Sequence, residues 1–372
     1  MNLIKNMDFK CGLIYCFNSQ IITFPINSFL IAYNFFTNSN GYKDSINLFN
    51  KVFYDDCYIF YKNNFNDKTI KNKEYVISTF LNYLETLGLV SSQIVKLTEN
   101  KIIISQKNKY LLTEYKKIFN SNPIVPFREF IALFLKSYLQ MIYGKKFKYE
   151  INSSNLANCY TFTKLSEDFN YSTEKHYSNC CDDKKTQNWI KSLILNKKLN
   201  NVSGRIIFND VLSFGLPIFT YFNLLNYGLK SNLVDFRHLL KSYGFHFSKI
   251  LELKGFKTPK QKIDYISSYW KLMGFGSLEV LDESYKNYFV ETNFYTHFSK
   301  FYGSDFFNKL REIHYLNLLG SFEYSFGVKA QSIISEDFQN ISFKVISKSD
   351  EVSDKRKEVV DLIKNKKGSI LY

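Results

Sequence analysis

Two passages of the chain follow one pattern: LGLVSSQIVKLTENKIIISQKNKY at 87–110 and MGFGSLEVLDESYKNYFVETNF at 273–294. Each passage opens on a glycine between two apolar residues. A strand-like run, a polar turn and a second strand-like run follow, which is the pattern of a β-hairpin. The same order of elements at two distant places in one chain indicates an internal repeat.

The repeat includes the helix before each hairpin. EYVISTFLNYLETLGL (74–89) and KIDYISSYWKLMGF (262–275) both place apolar residues at spacings of three, four and three. This spacing predicts an amphipathic helix, and Gly88 and Gly274 stand where a left-handed C-cap favours glycine. The predicted buried stripes are Ile77, Phe80, Leu84 and Leu87 in the first helix and Ile263, Ile266, Trp270 and Met273 in the second.

A long helix and a further hairpin complete each repeat. The helices are PFREFIALFLKSYLQMIYG (126–144) and NKLREIHYLNLLGSFEYSFG (308–327), and each ends in glycine, at Gly144 and Gly327. The strand-like pairs that follow are KFKYEI with CYTFTKL and VKAQSII with ISFKVIS. Helices gathered on antiparallel strands predict an α+β fold rather than a doubly wound parallel sheet.

The domain boundaries follow from the repeat. The starts, QIITFPINSFLIAYNFF (20–36) and GRIIFNDVLSFGLPIFTYF (204–222), both read as a short strand and then helical turns. We therefore expect a first repeat at 1–170, a polar linker at 171–200, a second repeat at 201–348 and a charged tail at 349–372. The two repeats are expected to pack on each other as an internal pseudo-dimer, and the tail suits docking to a protein partner.

Composition limits the class of protein. The chain has 372 residues, 45% of them hydrophobic and 22% charged, and a net charge of +15. Its lysines are scattered among acidic residues, so we favour a solvated basic surface over a nucleic-acid site. We expect no membrane span, no signal peptide and therefore a cytoplasmic protein. Six cysteines in a chain of this length do not form a disulfide framework, and a reducing compartment is expected.

The motifs give no support for catalysis or for a metal. GFGSLE (274–279) follows a predicted helix rather than a strand, so it is not a phosphate loop. The cluster of His176, Cys180 and Cys181 has no clear fourth ligand, and we interpret it as part of the linker. No nucleophile is paired with a base by motif, so a non-enzymatic protein without a cofactor or a metal is expected.

The passages LETLGLVSSQIVKLTENKIII, PIVPFREFIALFLKSYLQMIYGKKFKYEI and CYTF give the chain a resemblance to the 4-vinyl-reductase, or hydrocarbon-binding, domain family, whose fold is shared by TRAPP-type tethering subunits. The resemblance covers nearly all of both repeats. It implies an apolar or aromatic small molecule, or an acyl chain, bound between the long helix and the sheet, and a role in sensing. Some members carry a cysteine zinc site near the last hairpin. Here only Cys159 remains, with Ile341 in the second repeat, so no metal is expected.

The long helices supply the predicted ligand contacts. The first repeat is the better candidate because Ala132 and Ser137 leave room among large residues. Two alternatives stay open, a scaffold with filled pockets and a basic regulator associated with nucleic acid. The predicted contacts are Phe130, Ala132, Phe134, Ser137, Tyr138, Tyr315, Leu319 and Phe322.

One feature of the long helices has two interpretations. Arg128 is followed by Glu129, and Arg311 by Glu312, at matching places in the two repeats. We favour exposed or interfacial ion pairs, which contribute about 0–1 kcal/mol, over residues that gate or cap a pocket.

Overall fold

The structure, a computed structural model, describes residues 7–10, 13–66, 69–89, 91–107, 110–154, 157–176, 188, 191–193, 195–196, 198–202, 205–208, 211–230, 234–272, 278–290, 298, 300–335 and 340–348. The chain divides into two compact units, Met1–Leu224 and Leu225–Tyr372. Strands from residues 199–217 belong to a sheet of the first unit. The unit boundary therefore lies after the predicted linker at 171–200. Gly274, Cys180, Cys181 and the tail at 349–372 lie outside the described residues.

The helices and strands of the described residues are as follows. The strands are β1 (Met7–Lys10), β2 (Leu13–Cys16), β3 (Ser19–Pro25), β4 (Ser92–Leu97), β5 (Lys101–Gln106), β6 (Lys145–Ser153), β7 (Asn158–Asp168), β8 (Leu199–Val202), β9 (Arg205–Phe208), β10 (Val211–Pro217), β11 (Leu278–Val280), β12 (Asn287–Val290), β13 (Val328–Ile334) and β14 (Asn340–Lys348). The α-helices are α1 (Ile26–Val52), α2 (Tyr54–Asn64), α3 (Lys73–Thr86), α4 (Tyr110–Phe119), α5 (Phe127–Tyr143), α6 (Ile218–Lys230), α7 (Val234–Leu253), α8 (Pro259–Leu272) and α9 (Ser304–Phe326), and a short 3-10 helix covers Thr69–Lys71.

A six-stranded antiparallel sheet of the first unit has the order β1-β2-β3-β10-β9-β8. Its two halves share one register, because each residue of the second half lies 192 positions after its counterpart, as Pro217 does after Pro25. In the central pairing of β3 with β10, Thr23 lies opposite Gly215. Gly215 is also the residue 192 positions after Thr23, so Thr23 pairs with its own counterpart in the second half. A pair that maps onto itself is the mark of a two-fold axis, so this sheet has an approximate axis at Thr23 and Gly215.

Each unit also holds a four-stranded antiparallel sheet. The strand orders are β4-β5-β7-β6 and β11-β12-β14-β13. In both sheets the order in space is first, second, fourth and third strand along the chain. Both predicted pairs of hairpins are therefore present, and the predicted α+β class is confirmed. Gly144 (φ 59°) and Gly327 (φ 65°) end α5 and α9 in the left-handed conformation. Glycine is favoured there because a Cβ makes this conformation costly.

The core of the first unit is built around α5. This helix is buried along most of its length, as its long apolar run predicts. Phe134 stacks on Phe53 with ring centroids 4.4 Å apart, and Tyr138 stacks on Phe80 at 3.7 Å. Stacked rings remove large apolar areas from water, so these contacts fix α1, α2 and α3 around the long helix.

In the second unit α7 and α9 approach until their backbones touch. A Cβ added at Gly320 of α9 would lie 2.0 Å from the carbonyl oxygen of Lys241 in α7, and one added at Gly244 would lie 1.7 Å from that of Asn317. Ser321 Oγ donates a hydrogen bond to the Gly244 oxygen at 2.9 Å. Glycine at both positions therefore permits a contact that a larger residue would prevent.

Candidate ligand-binding site

A cavity of about 300 Å³ lies in the first unit, at the N-terminal end of α5. The end of β5, the helix α4, the loop at 122–126, the first turns of α5 and the start of β7 enclose it. It lies beside the long helix and the sheet, in the repeat that the sequence favours for ligand binding. The lining residues are Gln106, Leu111, Leu112, Asn122, Pro123, Pro126, Phe127, Arg128, Ile131 and Asn158.

The apolar wall of the cavity comes from α4 and α5. Leu111 is buried and Leu112 half-buried on α4, whose last turn carries Lys116 and Lys117. Phe127 and Ile131 lie one turn apart on α5, so they present one face to the cavity. Pro126 precedes α5 as its N-cap residue, in an extended conformation.

The floor of the cavity is polar and hydrogen-bonded. Asn158 Nδ2 donates to Gln106 Oε1 at 3.0 Å, and the Tyr160 hydroxyl donates to the same oxygen. Ser153 Oγ donates to Asn158 Oδ1 at 2.9 Å. Gln106 and Asn158 are both buried, and a buried amide held by partners in this way is a fixed polar surface.

Arg128 stands at the rim of the cavity, exposed on one side to solvent. Its Nη1 donates to Ser153 Oγ at 3.2 Å. Glu129 accepts a hydrogen bond from the Tyr149 hydroxyl at 2.9 Å, and burial together with this carboxylate raises the pKa of Tyr149. Arg128 and Glu129 therefore do not pair with each other, because adjacent helix residues point in different directions. The favoured ion-pair interpretation is wrong for this pair.

The predicted ligand contacts of the first repeat are buried, and none of them lines the cavity. Phe130 packs edge-on against Phe49 and Phe53, with ring centroids 5.1 Å and 5.0 Å apart. Phe134 and Tyr138 lie in the ring stacks described above. Ala132 and Ser137 are fully buried on the same helix. Their role in ligand binding stays a prediction. The residues of α5 that do line the cavity are Phe127, Arg128 and Ile131.

The predicted contacts of the second repeat, Tyr315, Leu319 and Phe322, are buried on α9. Phe322 packs against Phe343 of β14 with centroids 4.9 Å apart. The backbone contact between α7 and α9 at Gly320 brings the two helices together beside Leu319. Their role also stays a prediction.

A second, more open cavity of about 390 Å³ lies between α2, the end of α5 and the segment after β7. It is lined by Tyr58, Tyr61, Lys62, Met141, Gly144, Phe169, Asn170, Tyr171 and Ser172. The Tyr171 hydroxyl donates to Asp55 Oδ1 at 2.8 Å, which fixes one wall. Its aromatic rings already pack on one another, as Tyr58 does on Tyr171.

Metal ligands do not cluster in the part of the chain that the structure describes, where no group of three or more His, Cys, Asp or Glu side chains is close enough to hold an ion. His176 is exposed and lies near the backbone oxygen of Glu174 at 3.1 Å.

Within the same described ranges, no helix is both long enough and apolar enough to cross a membrane.

Comparison with known proteins gives a structural likeness but no sequence match. No protein-family model matches the chain, and no curated protein sequence does. The chain is similar to the crystal structure of the phenol-responsive sensory domain of the transcription activator PoxR with phenol, at 12% sequence identity and a TM-score of 0.34. The match covers 43% of this chain and 86% of that chain.

Proposed function

We propose that the chain is a non-enzymatic protein that binds a small, mainly apolar molecule in the cavity at the start of α5. The observation that carries this proposal is the cavity itself, with an apolar wall and a polar floor. Its volume of about 300 Å³ is at the lower end of the range for small-molecule sites. Apolar walls with a few fixed polar groups are typical of such sites, since the walls give affinity and the polar groups give orientation.

Membership of the 4-vinyl-reductase family is part of the same proposal. Two features support it: the equal strand orders of the two four-stranded sheets, and the left-handed Gly144 and Gly327 that end the long helices. The cavity lies beside the long helix and the sheet, where that family binds apolar molecules. Sensing, with a response passed to a partner, is the role that this family membership implies.

Thermal denaturation of the full chain with a panel of phenols, short fatty acids and aromatic acids tests the proposal. We expect at least one compound to raise the melting temperature, because a ligand that binds only the folded state stabilises it. Leu112→Trp places a larger side chain on the apolar wall, fills part of the cavity and should abolish the rise in melting temperature. Thr113→Trp places the same side chain on an exposed neighbouring position of α4 and should leave it intact.

Two results would contradict the proposal. One is a panel in which no compound stabilises the chain. The other is a ligand whose effect survives Leu112→Trp, because its site would then lie elsewhere. Native mass spectrometry of the purified protein adds an independent observation, since it detects a molecule that the chain retains.

A scaffold is the second candidate function, and one observation favours it. β3 and β10 join strands from both repeats in one six-stranded sheet with matched registers. A sheet with strands from both repeats is a suitable platform for a partner protein.

A further inference from the structure

Among the described residues that line the site of the proposed function, the positive charge of Arg128 is a feature that selects among apolar ligands. This inference rests on the proposed function. We infer that the ligand is a small organic acid, whose carboxylate binds Arg128 and whose apolar body lies against α4 and α5.

Arg128 is the only charged residue among the ten that line the cavity. The other nine are apolar residues, prolines or neutral amides. Within the described ranges of the chain, its guanidinium forms no ion pair with a carboxylate, and its one hydrogen bond is the 3.2 Å contact with the neutral Ser153 hydroxyl. A guanidinium has five N–H donors in a planar fork that suits a carboxylate, so most of this capacity is available to a ligand.

The neighbouring acid has a hydrogen-bond partner of its own. Glu129 accepts from the Tyr149 hydroxyl at 2.9 Å and is not among the residues that line the cavity. No side chain caps the first turn of α5, so the partial positive charge of the helix N-terminus adds to that of Arg128. Arg128 is therefore the charged group on the described lining that a ligand carboxylate can contact.

The hydrogen-bond chain on the floor holds the guanidinium in place. Ser153 donates to Asn158, and Asn158 donates to Gln106, so the Ser153 oxygen is free to accept from Arg128. An arginine fixed by one such contact loses less side-chain freedom when a ligand binds. Its exposed side keeps it partly hydrated, so the charge costs little in the empty site.

The rest of the cavity suits an apolar body. Leu111, Leu112, Phe127 and Ile131 offer no hydrogen-bonding group. A polar group placed against this wall would be left without a hydrogen-bond partner, which is costly. A carboxylate on a short hydrocarbon chain or on an aromatic ring has both a charged group for Arg128 and an apolar body for the wall.

Isothermal titration of the full chain with two isosteric pairs, benzoate with benzamide and octanoate with octanamide, tests the inference. We expect the acid of at least one pair to bind about tenfold or more tightly than its amide, because hydrogen bonds to charged groups are stronger than those between neutral groups. In Arg128→Gln this ratio should fall towards one, with little change for the amide. Arg128→Lys keeps the charge without the planar fork and should recover part of the preference.

Lys148→Gln is the matched control. Lys148 is an exposed residue of β6 that does not line the cavity, so its loss lowers the net charge equally without changing the site. A preference for acids that falls as much in Lys148→Gln as in Arg128→Gln would overturn the inference.

The outcomes separate the two proposals. If the amides bind as tightly as the acids and Leu112→Trp removes both, the proposed function stands and the inference about the carboxylate is wrong. If none of the four compounds binds, and no compound of the thermal panel does, both are wrong.

Discussion

Glu323 accepts a hydrogen bond from the backbone N–H of Ala330 at 3.0 Å. In the first unit Gln140 makes the same contact with the N–H of Phe147, at 3.4 Å. Each acceptor lies in the last turn of a long helix, and each donor lies beside an irregularity in the following hairpin, where the strand ladder is interrupted. A buried N–H at a bulge needs such a partner, so this contact joins helix and hairpin in both units.

Replacement of Glu323 tests the importance of this contact. Glu323 is buried and also pairs with Lys241 at 2.8 Å. Glu323→Leu should lower the free energy of unfolding by about 2–4 kcal/mol, because it leaves two donors without this acceptor. Glu323→Gln keeps an acceptor and should cost less. Urea denaturation measures both, and equal losses would show that the hydrogen bond is unimportant.

The close contact of α7 and α9 makes a second prediction. In Gly320→Ala the new methyl group would lie 2.0 Å from the Lys241 carbonyl oxygen, so the two backbones must move apart. We expect a loss of about 3 kcal/mol or more, the upper end for overpacking. The control is Ser137→Ala, at the corresponding place on α5, where a side chain is already accommodated and a change of about 1 kcal/mol is expected. Similar midpoints for the two variants in urea would contradict the backbone contact.

Much of the fold could be predicted from the sequence because the signals are local. The left-handed ends at Gly144 and Gly327 follow from the need for glycine, and the buried stripe Ile77, Phe80 and Leu84 follows from helical spacing. The pairing of β3 with β10 is not local. Its partners are separated by 192 positions, and nothing in either strand alone specifies the other.

The candidate site was only partly predictable for a related reason. A cavity is a gap between elements, and the sequence records side chains rather than the space between them. Small residues on α5, such as Ala132, suggest room for a ligand, but they lie inside the packed core. Leu111 and Tyr115, at a spacing of four, are a local signal for α4 and so for the apolar wall. The sequence places Arg128 next to an acid but does not show that it lines a cavity.

His314 predicts how stability depends on pH. Its ring lies edge-on to Trp270 with centroids 5.9 Å apart, and burial lowers its pKa from 6.5 to about 3. The unfolded chain therefore binds a proton below pH 6.5 while the folded chain does not, so stability falls as pH decreases through this window. The loss is about 1.4 kcal/mol per pH unit.

The variant His314→Ile isolates this effect. Ile131 occupies the corresponding place on α5, so isoleucine is an apolar replacement of a type that the fold already uses. Urea midpoints at about pH 7 and about pH 5 should differ more for the unmodified chain than for the variant. An equal pH dependence in both chains would show that His314 is protonated in the folded state.

The ion pair of the buried Asp55 with the half-buried Lys175, whose charged atoms are 2.7 Å apart, makes a further prediction. Burial by itself raises the pKa of the Asp55 carboxyl, but Lys175, Asn223 and Tyr171 outweigh it and hold the pKa below its ordinary value of 3.8. A lowered pKa stabilises the fold above 3.8, and this stability is lost as pH falls through the pKa of the folded state.

Lys175→Met should cost about 2–4 kcal/mol near neutral pH, because it leaves a buried carboxylate without its cation. Loss of Lys175 raises the pKa of the Asp55 carboxyl in the folded variant, so the difference from the unmodified chain should shrink as pH falls and this carboxyl becomes protonated. The control is Lys309→Met, which removes an exposed ion pair with Asp305 and should change stability by less than about 1 kcal/mol. A cost for Lys175→Met that is constant down to low pH would mean that packing, and not the carboxylate, explains it.

The pairing of Thr23 with Gly215 predicts the behaviour of the first repeat expressed alone. A fragment of residues 1–170 lacks β10, so the edge of β3 has unpaired backbone groups, and an open edge recruits another strand. Because the register is centred on equivalent positions, β3 of a second fragment can take the place of β10 in the same alignment. We therefore expect the fragment to form a two-fold dimer whose melting temperature rises with concentration. Light scattering after size-exclusion chromatography measures the mass, with the full chain as the reference. A fragment that is monomeric, soluble and as stable as the full chain would show that the pairing of β3 with β10 is dispensable.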